Sequence, residues 1–510
     1  MIQISPVLCA ACGAVVSYYC LFPLYRSGTI SIDGLLVLSF IPVAFLCFLR
    51  ALNSFPVQGD ENPEKPPELP ALTWQPKLLA FWTAAFTAGL AVGIAVSAKI
   101  SDTVRFGIPE NTVIGISGVL LDDPRVVSGG RAMSTLSLKM SMGNGGVRAT
   151  AQGQIIVFFR EENARRLKEF GRGTEVFAEG ELRSAAKGDD YTFTAQALHI
   201  TKAASSLERF RTGLRLGLTD RFTDSRTGGV WAGLALALLL GIRDNLDTGL
   251  AALYRNAGCS HILALSGMHL AIIVSLVSFL LKKPLGLRLS VIAGAVIIMA
   301  YCFIVGPLPS LNRAALMYLL GVVSVLGMLK RDMLPLLCMA FLLQIAFAPQ
   351  SGFSLSFILS YLALAGILVI GRAINGAFAG KIPALILQPV SASLGAFIAT
   401  AGVSAWFFTE LRPIGILAGL VLAPLATVFM ALSIAWLGID FITPALSLLL
   451  GKVLSLLYRL MEKTAALAAA APGITASPFL VILLSLLITV TILLLDRRRQ
   501  IAAGRLETFA

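Results

Sequence analysis

Long apolar blocks separated by short polar breaks dominate the chain. Two runs come first, at 5–25 and 31–50, and a third spans 78–98. Further runs follow at 261–281, 286–305, 313–329, 333–348, 353–371, 384–408, 413–437, 441–471 and 477–495. A helix crosses the ~30 Å hydrocarbon core with roughly 20 residues. The pattern therefore predicts a polytopic α-helical membrane protein with about 12 transmembrane helices. Within 413–471 the partition stays open, because Lys452, Arg459 and Lys463 make part of it amphipathic. The apolar run Gly229–Gly241 is short for a span.

The texture changes between Ser101 and Ala204. Short alternating runs at Val113–Leu121, Ser134–Met140, Gln154–Phe159, Thr174–Leu182 and Tyr191–Ile200 read as strands. Asp122-Asp123-Pro124, the Gly143–Gly146 stretch and Lys187–Asp190 read as turns. A helix is expected at Glu161–Phe170, between the third and fourth strands. Five strands with a helix after the third is the order of a small OB-like β-barrel. The expected domains are then 1–100, helices with a Pro-rich linker at 51–76; 101–204, the barrel; 205–260, amphipathic and re-entrant or interfacial helices; 261–496, the main helical domain; and 497–510, a basic tail. Pro63-Glu-Lys-Pro-Pro-Glu-Leu-Pro70 in the linker should be extended. Ser206–Arg226 mixes Arg209, Arg211, Arg215, Arg221 and Arg226 with apolar residues, the pattern of a helix lying on a membrane surface.

Composition excludes a soluble globule of this size. The chain is 56% hydrophobic and only 14% charged, against roughly 25% charged in soluble proteins. Its net charge is +13. Positive-inside loops account for such a charge, and so does contact with a polyanion or anionic lipid. The barrel segment is nearly neutral, with 13 basic and 11 acidic residues between 103 and 203. Strong nucleic-acid binding favours a more basic surface. With a cytoplasmic N-terminus, three helices before the barrel and a non-spanning Gly229–Gly241, the barrel is extracytoplasmic. Lys282-Lys283, Lys330-Arg331, Arg372 with Lys381, and Arg497-Arg498-Arg499 then fall in the cytoplasm. Arg26, Lys99 and Arg105 fall outside and count against this orientation. No basic residue precedes the first apolar run, so a retained helix is expected there. The barrel segment has no cysteine, and the apolar setting of Cys9 and Cys12 favours packing over redox or zinc chemistry.

The most informative segment runs from Gly241-Ile-Arg-Asp-Asn245 to His261-Ile-Leu-Ala-Leu-Ser-Gly-Met-His269. On a continuous helix His261 and His269 share one broad face. Ser266-Gly267 between them is a natural breaking point, and broken helices in membranes line substrate paths. The bland alternative is a pair of hydrogen-bonded core histidines with a packing glycine. In Pro307–Ala315, Asn312 and Arg313 open an apolar run. Arg313 either snorkels to the interface or presents a fixed charge to a phosphate. In Pro349–Phe357, Ser354 and Ser356 either bond back to their helix or face a polar path.

Together these segments resemble the ComEC family of competence proteins, the inner-membrane DNA-uptake channels of naturally transformable bacteria. The family module resembling "LGdr…G.aHilAiSGlHv" is matched by Leu240–Asp244 and Gly258–His269. Its "S..RA" corresponds to Ser310, Arg313 and Ala314, and its "gFqLSf" to Gly352–Phe357. The resemblance covers almost the whole chain. Two features depart from it. Many members end in a metallo-β-lactamase-like domain, but this chain has only His199, His261 and His269, so no dizinc nuclease site is expected. The family tends to carry a Pro after Ala-Thr in a late helix and an Asn before the next, where Ala399-Thr400-Ala401-Gly402 and Ala418-Gly419-Leu420 stand.

The resemblance implies a channel passing single-stranded DNA into the cytoplasm during transformation, without enzymatic activity or cofactor. His261, Ser266, Gly267, His269, Asn312, Arg313, Ser354 and Ser356 are then candidates for the path. In the barrel, Phe158, Phe159, Phe177, Tyr191 and Phe193 are candidates for base stacking or for core. The implied partners are single-stranded DNA, membrane lipids, a separate receptor, ATPase and nuclease, and a second copy of the chain. The chain has no P-loop, so an outside motor or the proton gradient would drive transport. A transporter or flippase for a lipid or other small anion, or a structural relative, would use the same residues.

Overall fold

A computed structural model describes residues 6–21, 76–97, 104–127, 130–184, 191–224, 229–328 and 332–507. The expected span 31–50, the Pro-rich linker, the Lys187–Asp190 turn, Arg26, Lys99, Arg226 and the Lys330-Arg331 pair lie outside these residues. Two compact units are formed. The first takes 1–100, 319–409 and 476–510, and the second takes 101–318 and 410–475.

In the first unit, α1 (Pro6–Val15) continues as a π-helical turn and packs against α2 (Pro76–Ser97). The hydroxyls of Tyr18 and Tyr19, in that π-helical turn, donate to the carbonyls of Pro349 and Gly352. Those carbonyls lie in the bend between α10 (Met333–Phe347) and α11 (Leu355–Gly366). A π-helical turn at Ile367–Gly371 leads into α12 (Arg372–Phe378). Against it lies α13 (Ala384–Phe408). Gly366 and Gly395 meet at this crossing, where a Cβ on Gly366 would fall 2.6 Å from Ala399 Cβ. The last helix, α16 (Pro478–Glu507), lies against α13 and carries outward leucines such as Leu487, 62% exposed. In water each such leucine would forgo about 1.5–3 kcal/mol of burial. A hydrocarbon surround removes that cost. The basic stretch from Arg497 continues this helix to Glu507.

The second unit begins with the barrel. Strands β1 (Arg105–Phe106), β2 (Val113–Leu120), β3 (Arg125–Val126), β4 (Ala132–Gly143), β5 (Arg148–Gln152) and β6 (Gln154–Phe159) precede α3 (Glu161–Phe170). Strands β7 (Glu175–Ser184) and β8 (Tyr191–Lys202) follow it. Five of these strands close in the order β2–β4–β6–β8–β7–β2. Only β6 and β8 run parallel. The alternation that predicted the strands also fills the barrel, since Ile116, Leu136, Val157, Phe159, Val176 and Phe193 are wholly inside. The short β5 was not expected. It extends a hairpin with β4 through a turn in which Gly145 has φ 80°.

Helix α4 (Ser206–Thr223) leaves the barrel. Three of its arginines find partners within the protein, so its charged side is engaged there, while Leu207, Phe210 and Leu214 on the same helix stay exposed. Arg211 is 0% exposed and grips Asp123 with bonds of 2.7 and 2.9 Å. Arg215 donates to the carbonyls of Leu240, Ile304 and Val305. Arg221 pairs with Asp440 at 3.0 Å and lies 3.8 Å over the Phe441 ring. The run expected to be re-entrant or interfacial is α5 (Ala232–Leu240), and every residue of it is buried. It packs in a core with Phe222, Trp231 and Trp436. After α6 (Thr248–Asn256) come α7 (Ser260–Leu263), α8 (Gly267–Val305, two helical stretches joined at a kink where Gly286 has φ 73°), α9 (Pro309–Leu326), α14 (Ile414–Asp440) and α15 (Pro444–Ala469). Helix α9 extends from the second unit into the first.

Six helices among the described residues are long and apolar enough to cross a membrane. They are Gly286–Val305, Pro309–Leu326, Leu355–Phe378, Ala384–Phe408, Ile414–Asp440 and Pro478–Gln500. Four shorter apolar helices, Val7–Tyr19, Ala84–Ala95, Gly267–Phe279 and Met333–Phe347, accompany them. The expected number of about 12 is therefore not reached among the described residues. One reason is α15, whose Lys452, Arg459, Glu462 and Lys463 make it amphipathic. Another is that the run 261–281 is not one helix.

Candidate functional site

The break in 261–281 is the centre of the site. Helix α7 ends at Leu263, Ala264 is extended (φ −81°, ψ 133°), and Ser266 caps the next helix with φ −132° and ψ 175°. His261 and His269 therefore sit on two different helices. The shared face expected of them does not exist, because periodicity is lost where the backbone extends. His261 is exposed, whereas His269 is 0% exposed.

Ser266 and His269 build the start of α8 together. The Ser266 hydroxyl accepts from the Met268 N–H at 3.3 Å, and His269 Nδ1 accepts from the Ser266 N–H at 3.0 Å. This is a capping box with histidine in the place usually held by Glu or Gln. A ring nitrogen that accepts a backbone N–H carries no proton. The imidazole is therefore neutral with its hydrogen on Nε2. Among the described residues Nε2 is buried without a hydrogen-bond partner.

Two further segments hold the break open. Ser310, near the start of α9, donates to the Leu265 carbonyl at 2.6 Å. Arg243, in the loop after α5, donates to the Leu263 carbonyl at 3.1 Å. Both carbonyls lie where the helix is interrupted and would otherwise lack partners. That loop begins at Gly241, which has φ 68° and closes α5 in the left-handed conformation open to glycine. Arg313 is buried, 8% exposed, and its guanidinium lies 3.6 Å from where a Cβ on Gly267 would stand. Asn312 is half-buried on the same helix. The three motif segments at 240–244, 261–269 and 310–314 thus converge on one helix break, which places a buried cation and an orphan N–H donor at the start of a helix.

Ser354 and Ser356 belong to the other unit. Ser354 caps α11, accepting from the Phe357 N–H and donating to the Ser351 carbonyl at 2.7 Å, while Ser356 is exposed. Of the barrel aromatics, Phe159 and Phe193 are wholly buried in the core and offer no ring face to a ligand. Tyr191 packs on that core with Phe106 edge-on at 5.7 Å. Phe158 and Phe177 are half-buried between core residues on either side, so their rings take the outer face. Residues missed as site candidates are Arg243, Ser310, Asp123, Arg211 and Arg215. Arg243 and Ser310 stood inside the motif segments already. Asp123 offered only a turn signal.

These features define a class first: a multi-pass membrane protein whose closed β-barrel precedes a helical module centred on a pinned helix break. Residues 238–500 match the competence protein family, just over half of the chain, and the chain belongs to that family. It is also similar to an uncharacterized protein of Aquifex aeolicus (strain VF5), 28% identical over 259 residues, covering 50% of this chain and 60% of that one. The chain thus spans less than two thirds of that curated relative's length. No solved structure matches. The break, Arg243 and Arg313 all fall within the matched region.

Proposed function

We propose that this protein passes single-stranded DNA across the bacterial cytoplasmic membrane during natural transformation. The observation that carries the reading is the helix break: a buried Arg313 and an unpartnered His269 N–H at the first turn of α8. A buried donor without a partner costs ~1–3 kcal/mol. Its retention beside a buried cation fits a path for a polyanion, where donors engage the moving chain and release it. Family membership supports the same reading.

The barrel supports a receiving role. We read the closed five-strand barrel, with one parallel pair and a helix after its third long strand, as OB-type, a fold that binds single strands by aromatic stacking. Phe158 and Phe177 supply outer aromatic faces, with Tyr191 at the core margin. In this reading the barrel is extracytoplasmic and both termini are cytoplasmic. The chain acts as a conduit without nuclease chemistry. Capture, strand degradation and motor force come from separate proteins, and copies of the chain associate in the membrane. The test is entry of labelled DNA into cells carrying His269→Ala or Arg313→Ala at normal membrane abundance. Loss of entry is expected, and entry at the parent level in both variants overturns the assignment of the path.

A further inference from the structure

The barrel is joined to the helical module by more than its chain connection. The loop after β2 carries Asp123, whose carboxylate receives Arg211 at 2.7 Å, Arg215 at 3.5 Å and the Arg172 N–H at 3.1 Å. Glu208 of α4 receives Arg211 at 2.9 Å and Arg172 at 2.5 Å. On their other side the two helix arginines reach the module. Arg211 donates to the Ile304 carbonyl at 3.3 Å, and Arg215 donates to those of Leu240, Ile304 and Val305 at 3.3, 2.9 and 3.1 Å. These carbonyls end α5 and α8.

The directly paired side chains do not balance among themselves. Three guanidiniums meet two carboxylates. The ends of two helices, each worth about half a negative charge, supply the remainder. Removing the barrel's carboxylate would leave Glu208 as the one carboxylate paired with the cluster, facing three guanidiniums of which Arg211 is wholly buried, so the cluster is fully satisfied only while the barrel is seated. A second contact runs beside it. Val126 of β3 donates its N–H to Asp244 at 3.1 Å, and the neighbouring Arg243 holds the Leu263 carbonyl at the break. The barrel loop is thus one residue removed from a bond that keeps the helix interrupted.

We propose that Asp123, Arg211 and Arg215 are positioning residues that seat the barrel rigidly on the helix ends flanking the break, so that barrel and break move as one body. On this proposal the barrel holds a fixed place over the break instead of swinging on a tether. The consequence for transport rests on the proposed passage of DNA. The rigidity itself does not.

The test uses the full chain in lipid nanodiscs, with its native cysteines replaced and spin labels at Val147→Cys on the barrel and Lys463→Cys on α15, both exposed. The parent should give one narrow distance. Asp123→Asn and Arg211→Gln should each broaden it severalfold, while hydrogen exchange at Leu136 and Val157 in the barrel core stays slow. DNA entry should fall at least tenfold in the same variants. A broad distance in the parent overturns the proposal, as does a narrow one in both variants. Broadening that accompanies loss of core protection overturns it too, because the cluster would then serve folding alone. Broadening with undiminished entry overturns the role in transport. If the parent itself imports no DNA, the proposed function fails, and the distance measurements still decide the seating.

Discussion

His269 has two roles that one pair of substitutions separates. Its Nδ1 accepts the Ser266 N–H at 3.0 Å, and its Nε2 is buried without a partner. His269→Ala removes both. The Ser266 N–H then loses its acceptor, at ~1–3 kcal/mol for a buried orphan donor. Truncating a side chain that is 0% exposed leaves a cavity, which adds to the loss. Glutamine is the residue a capping box ordinarily holds at this position, and its side-chain oxygen can take the Ser266 N–H. His269→Gln should therefore remain within about 1 kcal/mol of the parent, since the cap of roughly that value is kept. It cannot place an imidazole N–H where Nε2 stands. Denaturant midpoints of the purified protein in detergent give the stability arm, and entry of labelled DNA gives the functional arm. Alanine should lose both stability and entry, and glutamine should lose entry alone. If the glutamine variant imports DNA like the parent, His269 is a helix cap and no part of the path. If it is as unstable as alanine, the Nδ1 bond is not what the residue contributes.

Four other substitutions follow from the structure. Gly366→Ala drives a Cβ to 2.6 Å from Ala399 Cβ and against the Gly395 backbone, which should cost about 1–3 kcal/mol and lower the melting temperature; an unchanged melt refutes the close crossing. Phe159→Ala should cost about 3–5 kcal/mol and abolish slow amide exchange in the barrel. Phe177→Ala should leave that exchange intact and weaken binding of a single-stranded oligonucleotide by ~1–3 kcal/mol, and an equal effect of both on folding refutes the inner and outer assignment. Burial pushes the Glu208 carboxyl up, but bonds from Arg172 and Arg211 outweigh it and hold the group below its ordinary value. Its contribution to stability should be complete above the unfolded value of about 4.3 and vanish as pH falls through the lower folded value. The stability gap between the parent and Glu208→Gln should close on acidification, and a gap independent of pH refutes the ion pair.

The barrel was legible because its alternation is strict. The helix at Glu161–Phe170 is found where the sequence placed it, the run Gln154–Phe159 coincides with its strand, and the other four expected strands differ from the observed ones by one to three residues at their ends. The same alternation carries a finer message about the aromatics. Ile155, Val157 and Phe159 share one parity and are buried, while Phe158 has the other. Parity alone thus separates core from surface in that strand, and treating adjacent aromatics alike discards it. The helix break was half legible. Ser266-Gly267 marks its place, but the extended Ala264 leaves no trace in hydrophobicity, and a face drawn across it joins two helices. The anchors of the break, Ser310 and Arg243, act on backbone carbonyls, which no side-chain pattern records.

The arginines of α4 show where reading by pattern stops. An amphipathic helix announces that its charged side needs partners, and membrane headgroups are one answer. Here the partners are Asp123, 88 residues before Arg211, and the carbonyl of Ile304, 93 residues after it. Only the closed fold brings them within 3.3 Å. This changes what the net charge means. Arg172, Arg211, Arg215, Arg221 and Arg412 are held in internal ion pairs, and Arg313 is buried. They therefore bear less on the orientation of the chain than their number suggests. The clusters at Lys282-Lys283, Arg372 with Lys381, and Arg498-Arg499 remain exposed. An argument from loop charge rests on exposed residues of that kind. The positive charge thus divides into two populations with different roles. One lies at the surface, where a membrane potential can sort it, and the other is paired or buried within the fold, with Arg172, Arg211 and Arg215 built into the joint between barrel and helix break.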